Sequence, residues 1–321
     1  LWIAKRLFQF NFFMIKIASI DIGANTVRLL IVDSSGKHDF KLIVSKRKIT
    51  RLGESMDSQG KLMEERIAAT LNVLKEFRQI CLENGNPSLF AVATSAVREA
   101  SNGQEFVRLV KKETDIDIKI ISWEEEARLT LEGVFWKIPH ANRKIITLDI
   151  GGGSTEFILS KGKNIAGSCS TSLGVVRLTE KFISQNPIND KEFKNLQNHL
   201  RKELLAVKKQ LPAFSPEILI GTAGTVTTLA ALKEEIYPYD PEKIHGSLFS
   251  FHDAESILED LKKKSLEERL ALKPLEQGRE DLIIAGTAIV LETMRTFDCK
   301  ILKVSEYSLR EGIILNAIHK N

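Results

Sequence analysis

The sequence has three cysteines, Cys81, Cys169 and Cys299, and none of them forms a Cys-x-x-Cys pair. A small, odd and scattered set argues against a disulfide scaffold or a cysteine-ligated zinc site, and it fits a reducing, cytoplasmic compartment. The histidines (38, 140, 199, 245, 252 and 319) are dispersed and form no ligand cluster. Neither sign of charge dominates. A formal net charge of +4 permits an anionic substrate without demanding one, and calls for no nucleic-acid partner. Beyond residue 13 no apolar run approaches the roughly 20 residues that a membrane span requires. There is no Gly-x-x-x-x-Gly-Lys-Ser/Thr, no nucleophile elbow and no Gly-x-Gly-x-x-Gly, since Glu156 stands where a third glycine would fall.

Residues 1–13, LWIAKRLFQFNFF, are apolar and aromatic and carry Lys5 and Arg6. No small-residue cleavage site follows, and Lys16 interrupts the apolar run, so a signal peptide is disfavoured. The stretch reads as a mis-assigned start or a non-native extension, with synthesis beginning at Met14.

The remaining chain has the make-up of a folded protein: 43% hydrophobic and 27% charged residues within 321, enough for two domains. Short Ile/Val/Leu-rich runs at 16–21 and 26–33 flank Ile22-Gly23-Ala24-Asn25 and predict a β-hairpin. A third strand is expected at 39–48, a helix at 64–84, a buried strand at 90–94, two helices at 96–100 and 103–113, a brief strand at 119–121, and a helix at 124–136. After a polar break the pattern restarts. Strands are expected at 144–149, 155–160 and 164–171, helices at 174–184 and 190–210, a strand at 217–221 and a closing helix at 308–319. This alternation predicts an α/β protein with two mixed five-stranded sheets flanked by helices. The domains are placed at 14–135 and 136–321, with the last helix packing back on the first.

The repeat is sharpest in two loops. Asp149-Ile150-Gly151-Gly152-Gly153-Ser154-Thr155-Glu156 has the grammar of Asp21-Ile22-Gly23-Ala24-Asn25-Thr26-Val27-Arg28. Consecutive glycines allow close approach of a ligand and let several N–H groups converge on phosphate oxygens. An aspartate beside such a nest makes sense through a hard cation such as Mg²⁺. A third glycine loop, Gly221-Thr222-Ala223-Gly224-Thr225, leads into a helix start that would also suit an anion.

These loops occur in order with Ala93-Thr94-Ser95-Ala96-Val97-Arg98-Glu99-Ala100, Glu125-Glu126-Ala127-Arg128, Ser172-Leu173-Gly174-Val175-Val176-Arg177-Leu178 and Leu309-Arg310-Glu311-Gly312. The combination resembles the exopolyphosphatase and guanosine pentaphosphate phosphohydrolase family, within the actin, Hsp70 and sugar-kinase superfamily. The resemblance implies two ribonuclease-H-like domains facing across a cleft, and Mg²⁺-assisted release of a terminal phosphate. The implied substrates are inorganic polyphosphate or guanosine pentaphosphate, with guanosine tetraphosphate as a related ligand; a homodimer is one option for assembly. It makes Glu126 the catalytic carboxylate, with Asp149 and Glu156 also catalytic, and gives the metal to Asp21, Asp149 and Glu156. Phosphate contacts would come from Gly23, Asn25, Thr26, Arg28, Arg98, Gly151, Gly152, Gly153, Ser154, Gly224, Thr225 and Arg279. Ala24 departs from the serine common in relatives. The competing readings are a kinase or ATPase on the same fold, which needs a base pocket and an acceptor site, and a non-enzymatic sensor. The Thr-Ser-Ala-Val-Arg segment and the presence of both Glu126 and Asp149 favour hydrolysis.

Overall fold

A computed structural model describes residues 15–36, 39–56, 60–139, 142–213 and 215–320. The expected extension at 1–13 lies outside the described residues. The first half comprises β1 (Ile15–Ile22), β2 (Thr26–Ser34), β3 (Phe40–Ile49), α1 (Glu64–Glu83), β4 (Ser88–Ala93), α2 (Ser95–Glu99), α3 (Gly103–Thr114), β5 (Ile118–Ile120) and α4 (Trp123–Lys137). Then follow β6 (Lys144–Ile150), β7 (Thr155–Lys161), β8 (Asn164–Thr171), α5 (Val175–Phe182), α6 (Asp190–Gln210), β9 (Ile218–Thr222) and α7 (Ala223–Lys233). The chain closes with α8 (Pro241–Ile244), β10 (Leu248–Ser250), α9 (Phe251–Lys263), α10 (Leu266–Leu270), α11 (Ile283–Thr296), β11 (Ile301–Val304) and α12 (Leu309–Lys320).

Both sheets are mixed, and they share one plan. The first has the order β3-β2-β1-β4-β5, with an antiparallel hairpin and meander on one side and parallel strands on the other. The second repeats this as β8-β7-β6-β9-β11, the ribonuclease-H-like order, and adds β10 antiparallel to β11. The expected five strands are therefore six. Leu248–Ser250 is too short to alternate, and Ser250 immediately caps α9, so no strand signal precedes the helix. In both hairpins the central strands are buried along nearly their whole length, which accounts for their continuous apolar runs.

Helices α4 and α12 exchange sheets. Helix α4 follows the first sheet in sequence, yet its Ala127, Leu131, Val134 and Phe135 pack with Ile145, Ile158 and Ile220 of the second. Helix α12 follows the second sheet, and its Ile314, Ala317 and Ile318 cover Ile17, Leu30 and Val32 of the first. The expected return of the last helix is present, and α4 makes the reciprocal move. The two helices meet at glycines. A Cβ on Gly133 would lie 1.9 Å from the Ser308 carbonyl oxygen, and one on Gly312 would lie 1.8 Å from that of Leu129. Among the described residues no helix is long and apolar enough to cross a membrane.

The crossing predicts a steep penalty for one methyl group. Gly133→Ala should lower stability by at least about 1–3 kcal/mol, the range for overpacking a dense contact. Urea denaturation would show it as an earlier midpoint; an unchanged midpoint would mean that the helices do not meet backbone to backbone.

Candidate active site

The two hairpins meet at a cleft that is open to solvent. Each loop closes with the same bond: Gly23 N–H donates to the Thr26 carbonyl at 3.0 Å, and Gly151 N–H to that of Ser154 at 2.9 Å. Each loop is also tied back through its carbonyls. The Ala24 carbonyl accepts from Gly53 N–H at 2.8 Å, and that of Asn25 from Thr50 and Arg51, both at 3.0 Å. In the second loop the carbonyls of Gly151 and Gly152 accept from Val175 and Val176, at 3.1 and 3.0 Å. A trans peptide points its carbonyl and its N–H to opposite sides. Anchoring these oxygens thus turns the N–H groups of Asn25, Gly152 and Gly153 away from the anchors, as an anion-binding nest requires.

The sheet register sets the charged groups. Asp21 lies directly opposite Arg28 across β1 and β2, and Asp149 directly opposite Glu156 across β6 and β7. Equivalent positions in the two hairpins thus carry opposite charges. From between the sheets, α4 adds Glu126 in its first turn, and Ser122 caps that turn by accepting from Glu125 N–H. The Glu126 Oε2 accepts from Arg98 Nη1 at 2.8 Å, and the same nitrogen donates to the Ile121 carbonyl at 3.0 Å. The Glu156 Oε1 accepts from the Ser170 hydroxyl at 2.9 Å.

Burial dominates the electrostatics. Glu126 is raised well above the usual carboxyl range by burial and by the charge of Glu156, against the pull of Arg98. Glu156 is pushed up to about 7 by burial and Asp149, and Asp149 to about 6 by burial, partly offset by Arg28. Asp21 is raised by burial, with Arg28 opposing.

Most of the expected residues converge. Asp21, Gly23, Asn25, Thr26, Arg28, Glu126, Asp149, Gly151, Gly152, Ser154, Glu156, Gly224 and Arg279 all line this cleft. Three do not. Thr225 turns beneath α7 against Gly286 of α11, where an added Cβ would sit 2.4 Å from its Cγ2. Gly153 faces Ser95 and Ala24, since a Cβ there would meet the Ser95 hydroxyl at 2.8 Å. Arg98 is engaged by Glu126, so it orients that carboxylate from outside the lining. The sequence reading passed over Thr94, Ser95, Ala223, Ser308 and Leu309, which also line the cleft. All five lie in or next to motifs already singled out, so the signal was present without an assigned role. The Ala24 departure now has a setting. Its methyl lies 3.2 and 3.3 Å from where Cβ atoms on Gly152 and Gly153 would be, so the loops touch through their smallest residues.

The donor set suits a hard divalent cation. Asp149 and Glu156 are oxygen donors brought together on neighbouring strands, and their mutual repulsion would be relieved by positive charge. One end of the Asn25 amide is buried without a partner. Among the described residues no three of His, Cys, Asp or Glu converge into a ready metal site. That pattern fits Mg²⁺, which takes one or two carboxylates and completes its shell with water and phosphate oxygens.

A raised carboxyl contributes stability only while protonated and loses that contribution as pH rises through its folded-state value. In chelator, Glu156→Gln should therefore gain thermal stability relative to the parent between about pH 5 and about pH 8. Thermal unfolding midpoints at the two pH values test this. A gap independent of pH would show Glu156 to be ionised throughout.

A model of the Ppx/GppA phosphatase family matches residues 30–321. Exopolyphosphatase 2 of Mycobacterium tuberculosis is 30% identical over 313 residues, which cover 94% of this chain and 98% of that protein. The bifunctional 3-dehydroquinate synthase/phosphatase of Fusobacterium nucleatum is 36% identical over 316 residues, 94% of this chain, which spans 46% of that longer protein. Among solved structures, the Aquifex aeolicus member of the Ppx/GppA family matches with a TM-score of 0.81 at 36% identity, covering 96% of this chain and 98% of that one. An exopolyphosphatase from Cytophaga hutchinsonii matches with a TM-score of 0.89 at 30% identity, covering 95% and 98%. A match along nearly the whole chain, with the paired loops and Glu126 in one cleft, places this protein in the Ppx/GppA phosphatase family.

Proposed function

We propose that the protein is a phosphohydrolase that releases the terminal phosphate of inorganic polyphosphate, or the 5′ γ-phosphate of guanosine pentaphosphate. The observation that carries the reading is Glu126: a buried carboxylate held by Arg98 in a cleft walled by both glycine loops. The names of the relatives agree with it, since two of those above are exopolyphosphatases and one carries a phosphatase activity.

In this reading the terminal phosphate lies between the loops. The N–H groups of Asn25 and Gly152, with the Ser154 hydroxyl, hold its oxygens, while Arg28 and Arg279 neutralise charge from either side. Glu126 orients a water in line with the bridging oxygen and accepts its proton. The water oxygen forms a bond to phosphorus as the bridging P–O bond breaks, and that electron pair leaves on the shortened chain. Its raised proton affinity suits a base working near neutral pH. The departing group is itself phosphate, so no dedicated acid is required. Asp149 and Glu156 would hold Mg²⁺, with Asp21 as a third carboxylate. When bound, the cation supplies charge neutralisation at the phosphoryl oxygens. The two sheets, each with the helix it takes from the other half of the chain, act as the two jaws, and a cytoplasmic setting fits the three free cysteines.

The test is phosphate release with Mg²⁺ from long-chain polyphosphate, guanosine pentaphosphate and ATP in parallel. The expected result is turnover of at least one of the first two, little release from ATP, and loss of activity in chelator. Well-folded protein that releases phosphate from none of them would sink the hydrolase reading. Glu126→Ala should lower kcat by about 10²–10⁴-fold, the usual range for a general base, while substrate binding persists. A near-normal rate would remove Glu126 from its role.

A further inference from the structure

The cleft does not end at Arg28. A second depression of about 220 Å³ opens on its far side and is lined by Arg28, Lys46, Arg47, Tyr239, Glu306 and Arg310 among others. Arg28, Ala223 and Gly224 line both spaces, so the two form one continuous groove.

Four features mark this basin as built for negative charge. The β2–β3 register sets Arg28 directly opposite Arg47, and Leu29 opposite Lys46. Like charges directly opposite destabilise a sheet unless something lies between them. Second, Arg310 enters from the start of α12 with its side chain nine-tenths buried. Its Nη1 donates to the Ser45 hydroxyl at 3.1 Å and its Nη2 pairs with Glu311 at 3.2 Å, yet its Nε has no partner. A buried guanidinium N–H left without an acceptor is unfavourable, and an anion in the basin is the acceptor it lacks.

Third, the counter-charges are shared. Glu276 pairs with Arg47 at 2.7 Å and with Arg279 as well, so one carboxylate serves two guanidiniums from opposite sides of the groove. Fourth, the one aromatic face is already occupied: the Arg47 guanidinium lies 5.6 Å from the centre of the Tyr239 ring, and the Tyr239 hydroxyl donates to Glu306. That arrangement disfavours a stacked nucleobase and leaves cationic side chains as the principal recognition elements.

We propose that this basin is a second anion subsite that holds the phosphates beyond the third of a linear polyphosphate while the terminal phosphate lies between the glycine loops. The proposal rests on the exopolyphosphatase reading of the neighbouring cleft. It gives chain length a physical meaning, because a longer chain engages Lys46, Arg47 and Arg310 in addition to the loops. Lys46 is exposed on β3 and outside the core, so changing it leaves the fold intact.

The test compares Lys46→Gln and Arg310→Gln with the parent on tripolyphosphate, long-chain polyphosphate and guanosine pentaphosphate. For long chains the expected result is a KM raised about five- to tenfold with kcat retained, against less than about twofold for tripolyphosphate, as removing one exposed cation contact from a polyanion site predicts. Binding of end-labelled long-chain polyphosphate is measured in parallel on the Glu126→Ala background, where turnover does not interfere. If no polyphosphate is hydrolysed but Lys46→Gln still weakens binding of the labelled chain, the enzymatic reading falls and the subsite stands. No change with Lys46→Gln, or an equal change on both chain lengths, overturns the subsite. So does an effect confined to guanosine pentaphosphate, which would give the basin to a nucleotide.

Discussion

The structure depends on one backbone contact, the crossing of α4 and α12 at Gly133 and Gly312. Each helix is covalently attached to one sheet and packed on the other, so neither sheet has a complete core without its neighbour's helix. The approach is close enough that a single Cβ would collide with a carbonyl oxygen on the opposite helix. Side chains on both sides of the crossing, including Leu129, Leu309 and Ile313, then join Val92 and Ile121 in a cluster between the sheets. The consequence lies at the helix starts. Helix α4 delivers Glu126 to the cleft, and the chain entering α12 delivers Ser308 and Leu309 to the same cleft and Arg310 to the adjoining basin. The positions of Glu126, Ser308 and Leu309 in the cleft are thus set by packing that lies away from it, at the starts of two helices.

Duplication explains the cleft, and divergence explains its polarity. Both hairpins use the same turn, the same carbonyl anchoring and an aspartate at the same register position. What differs is the residue facing that aspartate. In the first hairpin it is Arg28, which leaves a nearly balanced pair; in the second it is Glu156, which sets two carboxylates side by side. A cation-rich jaw and a carboxylate-rich jaw therefore face each other. Arg28 pulls down the proton affinity of both Asp21 and Asp149, so it acts across the cleft as well as along its own strands. A polyanion accompanied by a divalent cation satisfies both jaws at once, whereas either ion alone leaves one of them unbalanced.

Much of this was legible in the sequence because the signals were local. The strand runs, the helical spacing of apolar residues and the glycine turns placed most element boundaries to within one or two residues, for example Asp190–Gln210 against an expected 190–210. The return of α12 to the first sheet was only one option in the domain placement and the exchange of α4 was not foreseen, because the apolar residues of a helix read the same whichever sheet they cover. Thr225 shows the same limit at a finer scale. A helix-start threonine after two small residues suits an anion, but the tilt of α7 against Gly286 turns it into the core. Arg98 was expected to meet phosphate directly, and only the fold shows that Glu126 lies within its reach.

That pairing clarifies how a carboxylate can be both buried and reactive. Glu126 has two acidic neighbours, Glu156 and Asp149, and burial opposes its ionisation. Arg98 works against both from outside the cleft without cancelling them, and its second bond, to the Ile121 carbonyl, ties the guanidinium to the segment that leads into α4. Arg98 is therefore bonded at both ends of one short stretch of chain, residues 121–126, that carries Glu126. Burial makes the carboxylate strongly basic and Arg98 tempers that basicity; in the proposed mechanism the balance between the two sets how readily Glu126 takes a proton from water.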